Sequence, residues 1–125
     1  MEKAKKTGIR RLINAFYYSL SGFKAAWKNE EAFRQEIILS VFVIPAAIWL
    51  GTSARDRALL IAVYLIIPLV ELLNSAIEAI VDRMGSERHV LSGRAKDLGS
   101  AAVLLSICIA IIVWCFIAFD RFFLR

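Results

Sequence analysis

Apolar and polar positions fall along this chain in long blocks rather than in residue-by-residue alternation. Residues 37–54 (IILSVFVIPAAIWLGTSA) and 98–119 (LGSAAVLLSICIAIIVWCFIAF) carry no charge. Each comes near the ~20 residues a helix needs to cross a hydrocarbon core. Residues 58–81 (ALLIAVYLIIPLVELLNSAIEAIV) form a third apolar candidate, whose second half includes Glu71, Asn74, Ser75 and Glu78. Ahead of the three, Ile9, Leu12, Ile13, Phe16, Leu20, Phe23 and Trp27 recur at steps of three and four, while Arg10, Arg11, Asn14, Tyr18, Ser21 and Lys28 lie mainly opposite. That spacing predicts a helix with one apolar stripe, lying over 7–28 in the membrane interface with its aromatic residues at headgroup depth. The expected architecture is all-α: an amphipathic surface helix, then three transmembrane helices, in one domain over 1–125.

Composition agrees with the blocks. Of the 125 residues, 59% are hydrophobic, against ~45–50% in a typical soluble domain. Pro45 and Pro68 fall inside apolar blocks, where neighbouring helices can satisfy the carbonyls a proline frees. Gly99, Ser100, Ala101 and Ala102 open the last block and are expected to form a close helix–helix seam. Cys108 and Cys115, seven residues apart within that block, read as small packing groups rather than as a disulfide or metal pair.

Charge sets an orientation. The net charge is +5, but the basic residues flank apolar blocks and form no nucleic-acid-binding motif. Segment 1–34 holds eight Lys and Arg and the 82–97 connection four, against two in 55–57 and two in the tail. The positive-inside rule then puts the amino terminus and the 82–97 connection in the cytoplasm and the carboxyl terminus in the periplasm. Lys3, Lys5 and Lys6 resemble a signal-peptide n-region, but Arg10, Arg11, Lys24 and Lys28 break up the stretch where an apolar h-region would have to lie, so cleavage is not expected.

The chemistry concentrates in Glu71-x-x-Asn74-Ser75-x-x-Glu78-x-x-x-Asp82, with offsets from Glu71 of 3, 4, 7 and 11. On a helix turning about 100° per residue these positions share one narrow face. An acidic side chain at the bilayer centre costs roughly 2.5–3.5 kcal/mol on insertion scales, so this stripe needs partners, water or a cation. Three readings stay open: a carboxylate site for a hard divalent cation such as Mg²⁺, a proton or ion relay in a transporter, or pairing with cations of a neighbouring helix. A second acidic group, Glu30, Glu31 and Glu36 with Arg34, sits at the entry to the first block, where it reads equally as a solvated charge run. Arg94 and Lys96 in the second connection could contact phosphates or simply obey the positive-inside rule, and the lone His89 decides nothing. Neither a Walker loop nor the protein-kinase signature set occurs.

At these residues the sequence resembles the prokaryotic diacylglycerol kinase family. Val70 to Val103 (VELLNSAIEAIVDRMGSERHVLSGRAKDLGSAAV) carries the resemblance, with Ala25 to Glu36 (AAWKNEEAFRQE) as a second match and Thr7-Gly8 with Arg11 to Ser19 as a looser one. The resemblance implies phosphorylation of diacylglycerol to phosphatidic acid by a homotrimer in the bacterial inner membrane, with ATP as co-substrate and Mg²⁺ as cofactor. It implies Glu71 as general base, with Asn74 orienting the stripe and Asp82 supporting it. Glu30 and Glu78 would hold Mg²⁺. Arg11, Tyr18, Glu87, His89, Lys96 and Asp97 would contact the nucleotide. Arg11, Ser19, Trp27, Arg34, Gln35, Trp49, Ser100 and Trp114 would line the lipid's path. Small kinases of the same fold act on undecaprenol; the SGRAKDLGSAAV and FRQE segments look more like the diacylglycerol type. Departures from the family pattern are Arg88, where an aromatic is often found, Glu31 beside Glu30, and the segment 51–57.

Overall fold

The computed structural model describes residues 8–125. Lys3, Lys5, Lys6 and Thr7, the first residue of the expected surface helix, lie outside the described residues. Four helices succeed one another: α1 (Ile9–Asn29), α2 (Glu31–Leu50), α3 (Ala54–Arg83) and α4 (Val90–Phe119). The chain closes in a wider, π-helical turn over Asp120–Leu124. Helices α2, α3 and α4 are long and apolar enough to cross a membrane.

Helix bounds differ from the apolar blocks in a consistent way. Helix α2 begins at Glu31 and ends at Leu50, so residues 51–53 of the expected 37–54 helix form the turn instead. Helix α4 begins at Val90, which puts Arg94, Lys96 and Asp97 on its first turns rather than in a connecting loop. Hydropathy reports where a helix meets hydrocarbon, and backbone hydrogen bonding continues past that limit. The α2–α3 turn is tight because Ser53 caps α3, its hydroxyl accepting from the Asp56 N–H at 3.2 Å. A Cβ on Gly51 would lie 2.7 Å from Arg57 Cγ, so the close approach requires glycine. Pro45 and Pro68 both lie within continuous helix.

Helix α3 is the central element, packing against α2 on one side and α4 on the other. Two buried groups hold it. Val63, Tyr64, Ile67 and Ala110 meet Val43 and Trp114, while Ala47, Leu50 and the fully buried Leu60 meet Trp114 and Ile117. Both lie in the first half of α3, away from the Glu71–Asp82 stripe. In lipid such contacts stabilise by close packing more than by exclusion of water. The face of α4 toward α3 runs through Gly99, Ser106 and Ala110, all buried. Ser100, Ala101 and Ala102 are exposed, which corrects the expected seam: of that run, only Gly99 is in it.

The two ends of the bundle are finished differently. At the α2–α3 end, Arg57 Nε donates to the Ile48 carbonyl at 3.0 Å. Arg121 donates to the carbonyls of Trp49 and Leu50, the latter at 2.9 Å, with its guanidinium 4.7 Å from the Trp49 ring centre. Arg125 pairs with Asp120 at 2.7 Å and Asp56 at 3.8 Å and also meets the Thr52 hydroxyl. Three otherwise unpaired terminal carbonyls of α2 are therefore satisfied by side chains from α3 and the final turn. At the other end, α1 packs only lightly on α2, and Ile9, Leu12, Phe16 and Phe23 remain exposed.

Candidate active site: a carboxylate row on α3

The polar stripe forms as its spacing requires. Glu71 and Asn74 are buried, Ser75 and Glu78 are half-buried, and Asp82 is exposed at the end of α3. Asn74 Nδ2 donates to Glu78 Oε1 at 3.4 Å. Its Oδ1 is buried without a partner and faces Gly99 of α4. The amide therefore meets the Glu78 carboxylate on its nitrogen side and abuts α4 on its oxygen side.

Glu30 reaches the row from another direction. It occupies the single extended residue between α1 and α2 (φ −115°, ψ 105°), and its carboxylate is near enough to Glu71 for their charges to interact, as is that of Glu78. Arg34 fixes this corner, donating to the carbonyls of Trp27 at 2.8 Å and Lys28 at 3.0 Å. It thus caps α1. Glu36, one turn further on, is a member the sequence did not mark. Its Oε2 is buried without a partner, its charge acts with that of Glu71, and its carbonyl accepts from Tyr64 Oη at 2.7 Å. The available signal was its place as the last charge before an uncharged run, read only as part of a boundary cluster.

Two hollows of about 520 Å³ each flank the row. The first lies between α1 and α3, bounded by Ser19, Gly22, Ala26, Glu30, Ser75 and Ala79 among others. The second lies at the α3–α4 turn, bounded by Asp82, Ser86, Glu87, Arg88, His89 and Lys96 among others. Gly85, with φ +118°, supplies the backbone reversal there that other residues rarely adopt. Lys96 Nζ lies 2.7 Å from Asp82 Oδ1. His89 caps α4, its Nδ1 accepting from the Leu91 N–H at 3.1 Å. Asp97 is exposed next to Lys96.

Other expected residues stand apart from the row. Arg11, Tyr18 and Trp27 are exposed on α1, and Ser100 is exposed on α4. Gln35 Nε2 donates to Glu31 Oε1 at 3.3 Å. Ser19 alone of the α1 lipid-path set borders the first hollow. Trp114 donates its Nε1–H to the Leu60 carbonyl at 3.2 Å, and Leu60 is eleven residues, roughly 16 Å of helix, from Glu71. Trp49 lies beneath Arg121 at that same far end. Within one chain these two tryptophans are not brought to the carboxylates.

Among the described residues, no three His, Cys, Asp or Glu side chains gather closely enough to enclose a metal ion. Glu30 and Glu78 nonetheless approach a common neighbour, and Mg²⁺ is commonly held by one or two carboxylates plus substrate phosphates and water. The donor set fits that mode of binding. Clustered carboxylates beside two open hollows, one of them lined by Arg88 and Lys96 as well as Asp82 and Glu87, can accept a proton and hold a counter-ion.

Helical packing and an acidic row on a helix long and apolar enough to cross a membrane make a membrane-protein type of site, and comparison with known proteins specifies its class. Residues 17–118 match the family model for prokaryotic diacylglycerol kinase. The chain belongs to that family. It is 53% identical over 116 residues to a diacylglycerol kinase of Escherichia coli (strain K12), covering 93% of this chain and 95% of the relative. It is 52% identical over 110 residues to that of Haemophilus influenzae, covering 88% and 93%. A third relative, the diacylglycerol kinase of Pseudomonas aeruginosa, is 52% identical over 109 residues, covering 87% and 89%.

Proposed function

We propose that this chain transfers the γ-phosphoryl group of ATP to the free hydroxyl of diacylglycerol, giving phosphatidic acid and ADP. The observation that carries the reading is the Glu71–Asn74–Glu78 row, with Glu71 and Asn74 buried, on an otherwise apolar helix, in a chain of the diacylglycerol kinase family.

The lipid hydroxyl oxygen attacks the γ-phosphorus, its bond to phosphorus forming as the bond from phosphorus to the ADP oxygen breaks. Glu71 accepts the hydroxyl proton, a role suited to a carboxylate sheltered from water beside the nucleophile. Asn74 orients Glu78. Glu30 and Glu78 would hold Mg²⁺, which when bound would neutralise charge on the ATP phosphates. Lys96, kept at the mouth of the second hollow by Asp82, faces the nucleotide together with Glu87, His89 and Asp97. On the lipid side, Ser19, Arg34 and Gln35 lie nearest the headgroup, with Arg11, Tyr18 and Trp27 further along α1. That helix lies in the interface, its exposed apolar residues in lipid.

A homotrimer completes the site. Of the three candidate spans, α4 is the most apolar yet has the smallest share of its apolar window buried within the chain, and Glu78 is only half-covered. A neighbouring copy would cover both, and would bring Ser100, Trp49 and Trp114 toward a lipid bound between subunits. The basic residues orient the assembly with the carboxylate row toward the cytoplasm, where ATP is found.

The test is transfer of label from [γ-³²P]ATP by the purified protein in mixed micelles, with diacylglycerol and undecaprenol supplied separately. Label in phosphatidic acid is the expected result. Label confined to undecaprenyl phosphate would change the acceptor and keep the chemistry. No label in either lipid, with Mg²⁺ present and the oligomer intact, would sink the reading in favour of ion transport.

A further inference from the structure

Gly99 stands opposite the centre of the row. It is buried on α4, and a Cβ built on it would collide with Asn74 Oδ1 and lie 3.2 Å from Asn74 Cγ. Asn74 is itself buried, and Oδ1 has no hydrogen-bond partner. The Nδ2 side of the same amide donates to Glu78 at 3.4 Å. An amide with all its bonding on one edge needs a reason to stay so turned. Rotating it by half a turn would set Oδ1 against the Glu78 carboxylate, which repels it, and would turn the NH₂ group toward α4. The absence of a Cβ at Gly99 is what leaves room for the amide at this position.

We propose that Gly99 is a positioning residue for the phosphoryl-transfer site: its missing side chain lets the Asn74 amide seat against α4 with its nitrogen toward Glu78. The inference rests on the assignment of Asn74 and Glu78 to that site. Any side chain at position 99 drives the amide toward the carboxylates or parts α3 from α4. In either case Nδ2 loses its alignment with Glu78, a metal-holding carboxylate in the proposed mechanism. Groups that orient a metal's carboxylates typically govern metal affinity by about 10–100-fold.

The experiment compares Gly99→Ala, Asn74→Ala and the double variant, each purified as the full chain in lipid micelles. Readouts are kcat with diacylglycerol, the Mg²⁺ concentration giving half-maximal rate, and oligomeric state. Gly99→Ala is expected to lower kcat about tenfold or more and to raise the half-saturating Mg²⁺ about tenfold with the oligomer retained. Adding it to Asn74→Ala should change either quantity by less than about twofold, because the atoms it would displace are gone. Equal losses in both backgrounds, or an unchanged Mg²⁺ requirement in Gly99→Ala, would overturn the proposal. Should Gly99→Ala fail to assemble, the double variant decides: recovered assembly with Asn74→Ala kinetics supports the proposal, and a double variant that also fails refutes it. Wild-type kinetics in Asn74→Ala alone would remove the premise, taking the Asn74 assignment down along with the role of Gly99.

Discussion

Lys96 Nζ lies 2.7 Å from Asp82 Oδ1, joining the last turn of α3 to the second turn of α4 across the hollow at their connection. Both side chains are substantially exposed, so the pair adds little to stability, less than about 1 kcal/mol. Its consequence is positional: a long, mobile cation is held over one spot. Asp82→Asn should therefore raise KM for ATP about fivefold, equivalent to about 1 kcal/mol of lost positioning, while leaving the unfolding midpoint nearly unchanged. Steady-state kinetics beside a thermal melt distinguish this from general destabilisation. Equal KM values would show that Lys96 is positioned by something else.

On the proposed mechanism, replacing Glu71 by Gln keeps the side-chain shape but removes the proton acceptor. Turnover should fall by about 10²–10⁴-fold, with oligomeric state and stability retained, because loss of a charge from a buried carboxylate cluster relieves repulsion from Glu30 and Glu78. A variant that fails to assemble would make Glu71 a structural residue.

Tyr64→Phe removes one hydroxyl and keeps the ring within its buried group. The hydroxyl donates to the Glu36 carbonyl at 2.7 Å, so its loss should cost about 1 kcal/mol of stability. Because Glu36 lies beside Glu71, a rate loss is also expected, well short of that in Glu71→Gln. Unfolding in a denaturing detergent titration measures the first quantity, and an unshifted midpoint would argue that water replaces the tyrosine at no cost.

At the other end, Arg121→Ala strips two helix-terminal carbonyls of their donor and uncovers the Trp49 ring. The expected loss is about 1–2 kcal/mol, after discounting charged hydrogen bonds for exposure. Activity measured well below the melting point should change little, since the row lies on the far half of α3. Strong inactivation without destabilisation would instead tie Arg121 to the lipid's path.

The sequence was most informative where one helix suffices to state the rule. Apolar runs located three helices, and steps of three, four and seven put Glu71, Asn74, Ser75 and Glu78 on one face. What could not be read are pairings between helices: Asn74 with Gly99, Tyr64 with Glu36, Trp114 with Leu60. Such pairs are dozens of residues apart or turn on a backbone approach that no periodicity encodes. Helix ends were equally opaque, since polar residues 31–36 and 90–97 continue helices beyond the apolar stretch. Glu36 illustrates the cost, because a carboxylate just outside an apolar run looks like an ordinary boundary charge until α3 places Glu71 beside it.

The arginine clamp of Arg57, Arg121 and Arg125 gives the molecule a mechanical asymmetry. One end of the bundle is riveted, with the α2–α3 hairpin and the end of α4 sharing donors and acceptors. The other end carries the carboxylate row, two hollows and a lightly held α1. Side-chain fastening between helix ends is thus concentrated away from the carboxylates, and a change in the spacing of the helices meets fewer such ties at the carboxylate end.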